Sequence, residues 1–285
     1  MSRPAVSAVY KRFRDAVRAE TPAALATVVD SPADGPADGP PDGPIGGPAV
    51  GRTMLLVADG AGEPETHGDL GNAELTRVVA RDALGMLDAG LSEMRHYGPN
   101  GEARRQEVSV FVQCHARRPQ MVIFGAVDFT RALAAQAKLL GYRVTVCDAR
   151  EVFATRRRFP MADEVVVDWP NRLLERIGDE LGPRDAVCVL THDAKFDVPA
   201  VVGSLPTRVG YLGAMGSRKT HAKRVERLRA EGVTDDELAR IKAPIGLDIG
   251  GRTPEETAVS VMAEIIALRT GRAAPNLADG EGRIH

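Results

Sequence analysis

Aromatic residues make up only 4% of the 285-residue chain, with a single tryptophan, and cysteine occurs three times. Cys114, Cys147 and Cys188 are far apart and odd in number, and form no Cys-x-x-Cys pair, which argues against a disulfide framework and against a cysteine-built zinc site. No stretch of roughly 18 apolar residues is present, and Met1–Glu20 lacks the apolar core of a secretory signal. A cytoplasmic protein that does not span a membrane is therefore expected. Charge of one sign is not in excess either: 37 Lys and Arg stand against 39 Asp and Glu. Without a global basic field there is nothing to hold a nucleic acid, and a small molecule or a protein is the expected partner.

What is present is enough apolar residue, 44%, for one large core or two modest ones. In Ala5–Glu20, Val6, Val9, Tyr10, Phe13 and Val17 recur at three-to-four spacing between Lys11, Arg12, Arg14 and Arg18, the pattern of an amphipathic helix. A strand is predicted at Ala24–Val29 and another at Thr53–Ala58, able to pair with it. Between them, Ser31–Pro48 holds 6 Pro, 5 Gly and 3 Asp in 18 positions, which reads as a disordered insertion with almost nothing to bury. A helix over Asn72–Ala89 stopped by Gly90 and a strand at Val108–Val112 complete a small α+β domain, residues 1–118.

From residue 119 to 272 the texture becomes short apolar runs alternating with helical patterns. Strands are expected at Met121–Phe124, Arg143–Cys147, Glu164–Val167, Ala186–Leu190 and Arg208–Leu212, with a helix at Phe129–Leu140. Runs apolar on both faces signify a parallel sheet covered by helices on each side, a Rossmann-like α/β domain. Residues 273–285 read as a flexible tail.

Four segments carry chemistry-bearing residues. The first strand–helix turn, Gly125-Ala126-Val127-Asp128, keeps only the first glycine of a dinucleotide-binding fingerprint; Asp148, 23 residues after Gly125, stands where a ribose-binding acid would. Asp148 is equally readable as a strand-end turn residue. In the second segment, Thr191, His192, Asp193, Lys195 and Asp197 crowd the loop that leaves a strand at the ligand-binding edge of the sheet; the plainer reading is a solvated loop in which Asp197 caps a helix. The third, Gly210–Lys219, brings Gly213, Gly216 and Ser217 to the start of a helix whose first turns carry Arg218, Lys219, His221, Lys223 and Arg224. Cations near a helix N-terminus are unfavourable unless an anion offsets them, so this segment reads as a phosphate site, against the alternative of a solvated basic face. In the fourth, Gly246, Gly250 and Gly251 surround Asp248, a tight loop facing a ligand or a structural turn, before Thr253, Pro254 and Glu256 launch a capped helix.

Elsewhere the plain readings prevail. Gly68–Asn72 reads as a helix cap, and Arg156–Arg158 as a solvated basic turn. His67, His96 and His115 show no metal-ligand spacing.

The motifs THDAKFD, GYLGAMGSRKTHAKRVERL and APIGLDIGGRTPEETAVSVMAEI occur in this order. They resemble the XdhC/CoxI family, accessory proteins of molybdenum hydroxylases such as xanthine dehydrogenase and carbon monoxide dehydrogenase, and the resemblance spans about Met121–Arg272. It implies a Rossmann domain and an accessory protein that turns over no substrate itself. Such a protein binds molybdenum cofactor (molybdopterin), supports its maturation with a cysteine desulfurase, and inserts it into the hydroxylase apoenzyme; a homodimer is a further expectation. The family's usual Gly-Ala-Gly-His turn is Gly125-Ala126-Val127-Asp128 here, and its Gly-Gly-Cys segment has its nearest counterpart in Gly68–Asn72, without cysteine. An NAD(P)-binding oxidoreductase and a protein-interaction adaptor without cofactor binding are the alternative readings.

Overall fold

The computed structural model describes residues 8–32, 48–58, 64–103, 105–191 and 193–279. Most of the predicted Pro/Gly insertion, part of the predicted tail and His192 lie outside them. The chain divides into two compact units, Met1–Arg117 and Arg118–His285.

The first unit contains α1 (Ala8–Arg18), β1 (Ala23–Asp30), β2 (Thr53–Val57), β3 (Glu65–Gly68), α2 (Ala73–Ala89), β4 (Glu93–Tyr97) and β5 (Val108–His115). Its antiparallel sheet runs β3-β2-β1-β5-β4. Alternate residues of a strand face opposite ways, and β1 uses both faces. Ala24, Ala26 and Val28 join Leu75, Val79, Ala83 and Leu87 of α2, while Ala23 and Leu25 pack against Phe13 of α1. Asn72 caps α2 by accepting from Glu74 N and Leu75 N, and Gly90 ends the helix in the left-handed region at φ 66°. Sequence periodicity missed β3 and β4. Both are polar edge strands, ETHG and EMRHY, paired on one side only, so neither shows the apolar alternation of a central strand.

The second unit is α/β. Its strands are β6 (Gln120–Phe124), β7 (Arg143–Cys147), β8 (Glu164–Val166), β9 (Ala186–Val189), β10 (Tyr211–Ala214) and β11 (Ile241–Lys242). They form one parallel sheet in the order β11-β10-β9-β6-β7-β8. The helices are α3 (Asp128–Leu139), α4 (Pro170–Ile177), α5 (Ala194–Ser204), α6 (Arg218–Ala230), α7 (Asp235–Ala239) and α8 (Pro254–Thr270). Met121, Ile123, Val144 and Val146 pack under α3 and α8 on one face; Val122, Phe124, Val187 and Val189 pack under α4, α5 and α6 on the other. A strand buried on both faces explains the unbroken apolar runs.

One strand is shifted from its predicted position. β10 starts at Tyr211 rather than Arg208, because the ladder with β9 runs from Tyr211 opposite Ala186 to Ala214 opposite Val189. Gly213 therefore lies inside a buried strand. The space a side chain would occupy there is filled by Ile245 and the Tyr211 ring.

Candidate functional site

The chain runs from β6 out to β7 and β8, then returns to β9 on the opposite side of β6. Such a switch point opens a crevice at the C-terminal ends of the strands, where ligands of open parallel sheets bind. Gly125, Asp148, Thr191 and Phe196 line it. Gly125 has φ 106°, and a Cβ there would stand 3.0 Å from Thr191 N, so glycine is required both by conformation and by the close approach of the next strand's end.

The donors of this turn are consumed by the protein itself. Ala126 N donates to Asp148 Oδ2 at 2.8 Å, and Val127 N donates to Thr130 Oγ1 at 3.3 Å, while the Thr130 hydroxyl donates to Gly125 O. Arg158, read from sequence as solvated, instead crosses back to donate to Ala126 O at 2.9 Å and stands 3.6 Å from Asp128. Asp148 is 5% exposed and accepts from Arg150 N, Nε and Nη2 as well. Burial pushes its carboxyl up, but the Arg150 and Ala126 hydrogen bonds outweigh that and hold it below the usual carboxylate range. A dinucleotide pyrophosphate would find no free N–H group at Ala126 or Val127, which weakens the NAD(P) alternative.

A second opening, about 650 Å³, lies between the start of α6 and the loop joining β11 to α8. It brings together Gly216, Ser217, Arg218, Lys219, Gly246 and Asp248, residues 27 or more apart in sequence across its two walls. Ser217 caps α6 by accepting from Thr220 N at 3.1 Å. Among the described residues, the N–H groups of Gly216, Ser217, Arg218 and Lys219 have no hydrogen-bond acceptor. Arg218 and Lys219 are exposed, and no acid occupies the first turn. The opposite wall is pinned from behind: Gly246 N donates to Glu264 Oε2 at 2.9 Å, which also accepts from the Tyr211 hydroxyl, and Ser260 Oγ donates to Leu247 O. Burial, then Glu264 and its neighbours, raise Tyr211 well above the ordinary phenol range, so it stays a donor. Gly246 has φ 94° and its missing side chain leaves room for Ser260 Oγ. Asp248 at the loop tip is exposed.

Beneath the Gly216 turn lies a buried ion pair that neither segment reveals alone. Arg224 Nε donates to both Asp197 oxygens at 2.8 and 2.9 Å, with the two side chains 1% and 4% exposed, and Arg224 Nη2 donates to Met215 O at 2.6 Å. Asp197 is thus inside α5 and turned inward, and Asp193 is the residue that caps the helix, accepting from Lys195 N. The pair ties the start of α5 to the turn before α6. Arg224 Nη1 and His221 Nδ1 are buried without a hydrogen-bond partner. Burial, with Arg224 nearby, lowers the His221 pKa, so the ring is neutral at pH 7.

Lys195 is exposed, 3.6 Å from Asp193, with its ammonium 5.0 Å from the Phe196 ring. No cluster of three or more His, Cys, Asp or Glu able to hold a metal exists among the described residues. Burial raises all three thiols, Cys114 to about 11 and Cys147 to about 12, so none is a thiolate at neutral pH. No helix among the described residues is long and apolar enough to cross a membrane.

The fold is that of a Rossmann-type domain whose first-strand turn is closed and whose later loops are open. Residues 121–265 match the family described as the XdhC Rossmann domain, and the chain belongs to that family. An uncharacterised protein, YqeB, of Escherichia coli K12 is 29% identical over 76% of this chain and 40% of its own length. A protein of Bacillus subtilis 168 named as a probable xanthine dehydrogenase subunit is 33% identical over 58% of this chain and 47% of its own, and the molybdenum cofactor insertion chaperone PaoD of E. coli K12 is 34% identical over 30% and 26%. The matched stretch spans less than half of each of these relatives. A crystal structure described as a xanthine dehydrogenase from Bacillus halodurans has a TM-score of 0.50 and 18% identity, covering 95% of this chain and 98% of that one, a likeness of fold alone.

Proposed function

We propose that this chain is an accessory protein that binds molybdenum cofactor and supports its maturation and insertion into a xanthine dehydrogenase-type hydroxylase. In this reading the cofactor is cargo: its phosphate is held by the N–H groups of Gly216–Lys219 with Arg218 and Lys219, and its polar ring lies toward Thr191–Lys195. The observation that carries the reading is the uncompensated start of α6, where open backbone donors and cations converge without an acid. An anion bound there would satisfy the open donors, and a phosphate monoester supplies both charge and acceptors. Relatives named for xanthine dehydrogenase and for molybdenum cofactor insertion supply the identity of the anion.

The apoenzyme of the hydroxylase is the partner this role requires, and a cysteine desulfurase belongs to the maturation step. The test is titration of the purified chain with molybdopterin, together with activation of an apo-hydroxylase. Saturable binding at micromolar concentration with gain of hydroxylase activity is expected; neither effect at that concentration refutes the role.

A further inference from the structure

Arg150 meets two residues that line the first crevice, Asp148 and Phe196. Its guanidinium is a flat cation, 4.5 Å from the centroid of the Phe153 ring and 5.7 Å from that of Phe196, and Trp169 meets Phe196 at 4.9 Å. Through Nε at 2.9 Å and Nη2 at 2.8 Å it also occupies both oxygens of Asp148, the carboxylate at the tip of the second strand. A nucleoside in such a crevice needs the same two things, an aromatic surface for its base and a carboxylate for its vicinal hydroxyls. We infer that Arg150 is the specificity-determining residue of this crevice: by stacking on the aromatic rings and saturating Asp148, it stands in for a nucleoside and excludes nucleosides from the crevice.

The exclusion has a physical basis. A fork-shaped guanidinium bonded to both oxygens of a buried carboxylate makes two hydrogen bonds in which both partners are charged, whereas ribose hydroxyls would leave the carboxylate without a counter-charge. Asp148 is 5% exposed, while the Arg150 side chain over it is 41% exposed and forms the outer side of the pair. Cation–π contact with Phe153 adds to the arginine's hold. The self-capped turn at Ala126 and Val127 closes the pyrophosphate position next to it. A phosphate compound is left the open cleft at Gly216, where backbone donors are unspent.

The single tryptophan beside this crevice provides the assay. Fluorescence of Trp169 is followed while the full chain is titrated with adenosine monophosphate. The wild type is expected to show no saturation up to millimolar ligand, and Arg150→Ala to bind about tenfold tighter or better. Adding Asp148→Asn to Arg150→Ala is expected to abolish the gain, since the freed carboxylate is what the ribose takes. Arg150→Gln, which retains a donor for Asp148 but neither charge nor fork, replaces Arg150→Ala if that variant does not fold. Wild-type binding as tight as the variant's overturns the inference, as does a folded variant that gains nothing or keeps its gain without Asp148.

Discussion

Arg224→Met is the substitution in which the packing around the Gly216 turn is most exposed to measurement. The methionine fills much of the arginine's volume but removes the donors to Asp197 and Met215 O. With Asp197 4% exposed, its carboxylate loses the guanidinium in a place where water cannot take over. Breaking one side of a buried ion pair costs about 3–5 kcal/mol, mostly the desolvation of the charge left behind. Replacing both members, Arg224→Met with Asp197→Ala, also removes the carboxylate that has lost its guanidinium and is expected to be less harmful than the sum of the two single changes by about 1–3 kcal/mol. Urea unfolding followed by Trp169 fluorescence reports on this unit rather than on the N-terminal sheet, and at a slope of about 1–3 kcal/mol per molar the single variant shifts the midpoint by more than about 1 M. A shift corresponding to less than about 1 kcal/mol for Arg224→Met, or strict additivity in the cycle, refutes the claim that the pair is a buried strut.

Other expectations follow from the same contacts. Gly246→Ala sets a Cβ against Ser260 Oγ, closer than van der Waals contact allows, at φ 94°, so the loop must leave α8. A loss of about 2–3 kcal/mol is expected, with weakened phosphate binding, measured by thermal unfolding and ligand titration. Arg218→Ala with Lys219→Ala leaves stability unchanged and weakens molybdopterin binding about fivefold, with a shallower salt dependence, because both side chains are exposed and act only on the ligand. Unchanged affinity refutes the placing of the phosphate at the start of α6. Cys114 and Cys147 have their thiols raised from 9.0 to about 11 and about 12 by burial. Because the unfolded chain ionises first, their contribution is fully present below about pH 9 and is lost as pH rises through those values; urea midpoints measured from about pH 8 to 11 should fall, and a Cys147→Ser variant should flatten the fall.

The apolar runs determined five of the six strands of the second unit, because each one's own residues carry its pattern; the two-residue β11 and the helices α4 and α7 were not read from it. Local chemistry determined the caps as well: Asn72, Ser217, Thr253 and Glu256 act on N–H groups two to four residues away, so their roles are legible in a window of about five. The motif order also contained the family, since 121–265 is read along the chain. The polar edge strands β3 and β4 escaped, as a strand paired on one side need not alternate.

The tertiary structure alone decided which loops meet and which side chains are already spoken for. Gly216 and Gly246 face one cleft because β10 and β11 are neighbours in the sheet, a fact with no trace in spacing. Asp148, legible as a ribose-binding acid, is saturated by Arg150 and Ala126, and Asp197, legible as a cap, is half of a buried pair with a residue 27 positions later. Sequence records which groups are available within a few residues. Whether a carboxylate is free for a ligand depends also on partners brought in from distant elements, as Ala126 is to Asp148 and Arg224 to Asp197, and only the fold supplies those.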